Sequence, residues 1–292
     1  DQGVGAVVLK SIFEEQYALE TGDEDSLSGA YPEALDYFRG GGLMEYAPND
    51  MVRLIEGVKK DVDIPIIASI NCQTPKLWPR FAKQVEDAGA DAIELNIYDL
   101  MIEPDVPGRE MEDRHVEILN AVADSIQLPV SVKLSTEFTA LPNMAKRLGE
   151  AGADGLVLFN WFLEPDIDVG SRKTRNLKGK PNFNQSLRWV ALLSGRVECD
   201  LAASGGIKDW SGVIKQVLAG ASAAQICTLF MQKGLGVVSE ILEGMEAWMK
   251  ENNFESLDDF RGDLSFKKQE VSFRNLGESE AYFRSQYLKT YS

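Results

Sequence analysis

Ala88-Gly89-Ala90-Asp91, running into Ala92-Ile93-Glu94-Leu95-Asn96, holds the fold in miniature. The small residues and glycine suit the exit of a helix, because glycine reaches the left-handed backbone that a helix C-cap needs. The short apolar run after it suits a strand buried on both faces. The same unit recurs. Ala151-Gly152-Ala153-Asp154 leads into Leu156-Val157-Leu158-Phe159-Asn160, and Ala219-Gly220-Ala221-Ser222 leads into Ala224-Gln225-Ile226-Cys227-Thr228. Gly3-Val4-Gly5-Ala6 before Val7-Val8-Leu9-Lys10 is a fourth copy.

Between these units lies a second kind of strand. It is introduced by Asp63-Ile64-Pro65, by Gln127-Leu128-Pro129 and by Glu198-Cys199-Asp200, and it comprises Ile66 to Ser69, Val130 to Leu134 and Leu201 to Ser204. The two kinds alternate along the chain. Helical periodicity fills the intervals: Trp78, Phe81, Ala82, Val85 and Ala88; then Met144, Leu148 and Ala151; then Trp210, Val213, Ile214, Val217 and Leu218, with Asp209 as N-cap. Strand–helix alternation of this length predicts a parallel sheet and an α/β fold, the (β/α)8 TIM barrel. No G-x-G-x-x-G follows the first strand, which argues against a dinucleotide-binding sheet. The series starts and ends with the Ala-Gly-Ala kind, so closure of an eight-strand ring needs one more strand. We expect that first strand before Asp1, with the visible strands numbered two through eight. Residues 1–292 are expected to form a single barrel domain with a C-terminal helical tail. That tail contains an amphipathic helix from Val237 to Lys250, a capped short helix over Ser256 to Gly262, and an aromatic stretch with Phe273, Tyr282, Phe283 and Tyr287.

Composition narrows the function. Among 292 residues, 44% are hydrophobic and the net charge is −16, so a phosphate backbone or anionic membrane surface would be repelled. No apolar run approaches the roughly 20 residues of a membrane span. The three cysteines, Cys72, Cys199 and Cys227, lack metal-site spacing and predict reduced thiols in a cytoplasm. The lone histidine, His115, rules out a His-rich metal centre and is expected to pack or to sit on the surface. Trp78 and Trp161 are expected in the core.

In a barrel, chemistry sits at the C-terminal ends of the strands. Lys10-Ser11, Ser69-Ile70-Asn71, Asn96, Lys133-Leu134-Ser135 and Asn160 end separate apolar strands here. A lysine in such a place wants an anion or an electron-rich group to answer it, and asparagines suit a flat heterocycle with amide edges. Ser204-Gly205-Gly206, with Cys227-Thr228 after the last strand, predicts a phosphate cradle, since glycines let backbone N–H groups approach oxygen. Cys227 itself reads as a packed strand residue. Two long segments, Tyr17 to Asp50 and Trp161 to Ser186, read as loops; the second is basic and suits a lid or an anion-attracting arm.

These pieces together resemble the dihydroorotate dehydrogenase family of flavin barrels. Glu94-Leu95-Asn96-Ile97, Pro129-Val130-Ser131-Val132-Lys133-Leu134, Ser204-Gly205-Gly206-Ile207 and Leu218-Ala219-Gly220-Ala221 carry the likeness, which runs from Ala6 to Gly262. It implies FMN, held at its phosphate by Ser204, Gly205, Gly206, Cys227 and Thr228 and at its ring by Asn96 and Lys133, with Lys10 beside it. It implies a dihydropyrimidine-like substrate met by Asn96 and Asn160, and a homodimer. The family's Asn-x-Ser-Cys-Pro-Asn run is here Asn96-Ile97-Tyr98-Asp99-Leu100, so the cysteine base is replaced. Lys10 and Asp99 are then the expected catalytic residues, with Tyr98 as an alternative base to Asp99. Trp161 stands where the family has a serine or threonine, and Cys227 where it has glycine. Two other readings remain: a non-catalytic flavin- or phosphate-binding barrel, and a Schiff-base lyase acting through Lys133.

Overall fold

The computed structural model describes residues 2–14, 48–72, 75–97, 104–161, 164–177 and 182–269. These fall into two compact units: Val4–Leu134 with Phe138–Gly155, and Leu156 onward with Asp1–Gly3 and Ser135–Glu137.

The first unit is a parallel sheet with helices between its strands. β1 (Val7–Val8) and β2 (Ile12–Phe13) both pair with β3 (Ile66–Asn71), which pairs with β4 (Ala92–Asn96), which pairs with β5 (Val130–Leu134). α1 (Pro48–Asp61), α2 (Leu77–Asp87), α3 (Gly108–Ala123) and α4 (Leu141–Glu150) are the connecting and flanking helices. The predicted stripe on α2 is real: Trp78, Phe81, Ala82 and Val85 are all buried. Met144 and Leu148 do the same on α4. His115 is buried on α3, edge-on to the Phe138 ring at 5.2 Å, so it packs as expected.

The repeated small-residue motif has a second function that periodicity does not show. Gly89 and Gly152 take φ of +93° and +95° and end their helices. The aspartate after each then binds the start of the neighbouring strand. Asp91 Oδ2 accepts from Ile66 N at 2.7 Å while its own N donates to Ile66 O at 2.9 Å. Asp154 treats Val130 identically, at 2.8 and 2.9 Å.

The second unit contains β6 (Gly155–Leu158), β7 (Glu164–Asp168), β8 (Lys173–Leu177), α5 (Phe183–Leu193), β9 (Asp200–Ser204), α6 (Trp210–Ala219), β10 (Ala223–Gln225), α7 (Thr228–Lys233) and α8 (Val237–Glu251). β10 runs parallel to β9, and the motif repeats there: Ser222 N donates to Leu201 O and its hydroxyl to Asp200. Asp209 caps α6, accepting from Gly212 N at 2.9 Å. A core of Ile207, Val213, Ile214, Val217, Leu229, Val237, Ile241, Met245 and Phe260 joins α6, α7 and α8. Ser256 and Asp259 form the capping box expected of the short 3-10 helix Leu257–Asp259. The aromatic stretch from Phe273 to Tyr287 lies outside the described residues.

Three expectations are corrected. The segment from Trp161 to Ser186 is no simple loop: β7 and β8 form an antiparallel hairpin within it, and α5 already starts at Phe183. Its charged register pairs Asp166 with Arg175 and Asp168 with Lys173, and so shows no apolar alternation to read. Strand Val7–Lys10 is broken, since Val8 aligns with Ile67 but Ile12 with Ile70. One extra residue lies between the pieces, as in a bulge. Cys227 is not in a strand. β10 stops at Gln225, and Cys227 is exposed ahead of α7.

Candidate functional site

In a parallel sheet, register partners point to the same face, and side chains alternate along each strand. In the first unit, Ile93 and Leu95 share a face with Val130 and Val132 and with Ala68 and Ile70; all six are buried, the apolar face that the helices need. The opposite face is polar across three strands. It carries Ser69 and Asn71 of β3, Glu94 and Asn96 of β4, and Ser131 and Lys133 of β5. The extra residue between β1 and β2 brings Ser11 to the same row, where its hydroxyl lies 2.7 Å from that of Ser69.

This face is tied together by hydrogen bonds. Asn96 Nδ2 donates to Ser11 Oγ at 3.1 Å, and Asn71 Nδ2 donates to the Asn96 carbonyl at 2.7 Å. Lys133 Nζ sits 3.1 Å from Glu94 Oε1, with side-chain exposures of 19% for the lysine and 2% for the glutamate. A carboxylate that deep is costly without a cationic partner, and the lysine answers it. Of the residues expected from sequence, the structure therefore brings Asn96 and Lys133 together as register partners. Lys10 is exposed near the register break, and Asp99 and Tyr98 lie outside the described residues.

In the second unit, Ser204 closes β9 opposite Gln225 of β10, and its carbonyl accepts from Phe159 N at 3.3 Å. Gly205 and Gly206 follow with φ of +101° and +72°, a backbone that side-chain-bearing residues rarely adopt. Asn160 follows β6, and its Oδ1 accepts from Trp161 N at 3.0 Å. Trp161 is half-buried rather than in the core as expected, and its indole N–H has no partner among the described residues. Trp78 is fully buried in the core as expected. Thr228 starts α7, directly after Cys227.

The sequence already marks Ser11, Ser69 and Asn71 as strand-end residues, with Asn71 among the asparagines suited to a heterocycle, but it leaves Glu94 and Gln225 without roles. The readable signal for Glu94 was a charged residue at the centre of a strand otherwise apolar enough to be buried. Ser11 reads from sequence as a strand end, but its alignment with Ser69 does not, because only the inserted residue brings the two into line.

As a binding surface, the face offers an ammonium, a carboxamide and hydroxyls in one plane, matching the polar edge of a heterocycle. The glycine turn offers the open backbone that a phosphate requires. Taken unit by unit, the first presents groups suited to a flavin ring and the second a backbone suited to a phosphate. No group of three His, Cys, Asp or Glu side chains able to hold a metal ion occurs among the described residues, and no described helix is long and apolar enough to cross a membrane.

Comparison with known proteins agrees with this chemistry. The family model for dihydroorotate dehydrogenase matches residues 41–249. The catalytic subunit of dihydroorotate dehydrogenase B (NAD(+)) from Pyrococcus abyssi is 30% identical over 272 residues, covering 89% of this chain and 87% of that protein. An Aeropyrum pernix protein with a provisional designation as dihydroorotate dehydrogenase A (fumarate) is 30% identical over 243 residues, covering 80% of this chain and 78% of its own. Among solved structures, dihydroorotate dehydrogenase from Eimeria tenella, in complex with ferulenol, aligns with a TM-score of 0.58 at 17% identity, over 74% of this chain and 68% of that one. That likeness carries the fold, the α/β TIM barrel. With the family match spanning most of its length, this chain belongs to the dihydroorotate dehydrogenase family.

Proposed function

We propose that this chain binds FMN and oxidises the CH–CH bond of a dihydropyrimidine-like acid, as dihydroorotate is oxidised to orotate in pyrimidine biosynthesis. The observation that carries the reading is the polar face of β3, β4 and β5, where Asn96 and Lys133 stand side by side in a chain of this family. Bound FMN supplies the acceptor for the hydride. Lys133 and Asn96 bind the polar edge of its ring, and Lys10 lies beside it. A cation there favours the anionic reduced form. Ser204, Gly205, Gly206, Cys227 and Thr228 hold the phosphate. Asn96 and Asn160 orient the substrate, which loses a hydride from one carbon and a proton from its neighbour. The Asp99 carboxylate takes that proton. The Lys133 amine is engaged by the Glu94 carboxylate at 3.1 Å, so attack on a carbonyl carbon would have to break that contact, which speaks against the Schiff-base reading. The working form in this proposal is a cytoplasmic homodimer.

The test is anaerobic mixing of FMN-loaded protein with dihydroorotate. Bleaching of the visible flavin absorbance is expected, followed by recovery on adding either fumarate or NAD(+), the acceptors in the relatives' names. Asp99→Asn should slow bleaching by roughly 100-fold or more while FMN stays bound. Protein that takes up FMN but is not bleached by any of a panel of dihydropyrimidines would support the non-catalytic barrel, and protein that takes up no FMN would end the flavin reading.

A further inference from the structure

Glu94 has no role in the scheme above, yet it is the most deeply placed charge on the polar face. Its side chain is 2% exposed, at the middle of β4, and its Oε1 lies 3.1 Å from Lys133 Nζ. Glu94 and Asn96 share that face with Ser131 and Lys133, their register partners on β5. The amine of Lys133 thus reaches diagonally back along β4 to the carboxylate of Glu94. A buried carboxylate beside a cation turns a lone positive charge into a dipole, and a dipole's field falls off faster with distance than that of a lone charge.

We propose that Glu94 is a positioning residue that sets how much of the Lys133 charge a bound flavin feels, and so sets the flavin's reduction potential. The inference rests on the flavin reading above. Lys133 draws electrons toward the ring by favouring the anionic reduced form, and Glu94 opposes this through Lys133. The pair fixes both the aim of the amine and the size of its effect. Glu94 therefore holds the potential below the value that Lys133 alone would give.

The measurement is the two-electron midpoint potential of the FMN-loaded protein by dye equilibration, together with the Kd for FMN. Glu94→Gln keeps the side-chain shape and removes the charge. It should favour reduction on the order of tenfold, which is about 30 mV upward for a two-electron couple. Glu94→Asp should fall back toward wild type. Lys133→Met should lower the potential and weaken FMN binding. The double variant Glu94→Gln/Lys133→Met leaves no lone buried charge, so it stays measurable if Glu94→Gln alone fails to fold; it should match Lys133→Met. An unchanged or lowered potential in Glu94→Gln, with Lys133→Met lowered, would overturn the proposal. So would a double variant displaced upward from Lys133→Met, because Glu94 would then act without Lys133. If Lys133→Met leaves both FMN affinity and potential at wild-type values, the flavin placement at Lys133 is what fails, a pattern distinct from the others.

Discussion

Asp91 and Glu94 belong to one repeat and use their charges differently. Glu94 is buried against Lys133, whereas Asp91 is 38% exposed and anchors a strand end. Lys59 donates to both oxygens of Asp91 at 2.9 and 2.8 Å, and this bond, followed by the Ile66 N–H, holds the Asp91 carboxyl below the usual carboxylate range. The Gly212 N–H, then the Ser211 hydroxyl, lowers Asp209 in the same direction. A group whose folded pKa is depressed adds stability above its unfolded value, near pH 4, and that stability is lost as pH falls through the folded value. Urea midpoints should therefore be level for these groups from pH 7 to about pH 5 and drop below about pH 4. Asp91→Asn should lower the midpoint at pH 7 and flatten part of the acid limb. A limb as steep as that of wild type would show that the Asp91 contacts contribute nothing.

At the scale of the element, the repeat's glycines separate conformational need from spatial need. Gly89 and Gly220 both have left-handed φ, at +93° and +116°. A Cβ on Gly89 would meet nothing within 4 Å, while one on Gly220 would collide with the Ser194 hydroxyl. Gly89→Ala should then cost about 1 kcal/mol of backbone strain. Gly220→Ala should cost about 3 kcal/mol or more, since α5 must also give way to α6. Equal losses in urea titrations of the two variants would show that packing around Gly220 relaxes freely. The glycines were legible because a helix exit followed by an apolar strand has a fixed order. The hairpin β7–β8 was not legible. Its strands carry charge opposite charge, and Ile167 is 65% exposed, so no apolar alternation marks it. The break between β1 and β2 was hidden for a related reason: an inserted residue changes register without changing composition.

For the molecule as a whole, the net charge of −16 makes a confined cationic group informative. In the first unit such a group is Lys133, on the polar face and largely shielded from solvent. A ligand that binds only the folded chain stabilises it by mass action, about 2.7 kcal/mol at a hundredfold excess over Kd. FMN at that excess should raise Tm by a few degrees in a thermal melt. Riboflavin, which lacks the phosphate, should raise it much less. Equal shifts for the two would mean that the Ser204-Gly205-Gly206 turn contributes no phosphate contact.

The amino-acid order alone determined that this chain is an α/β protein of alternating strands and helices, because burying a parallel strand on both faces demands continuous apolar runs and each helix exit demands its small residues. It also marked Asn96, Lys133 and Ser204-Gly205-Gly206 as unusual endings to such strands. Only the tertiary structure decided which polar groups meet. Register puts Asn96 beside Lys133, one inserted residue lines Ser11 up with Ser69, and burial turns Glu94 from one acid among 46 into the partner of a shielded lysine. Those meetings depend on which strands adjoin and with what offset, and adjacency between residues far apart in the chain is fixed by packing rather than by any local pattern.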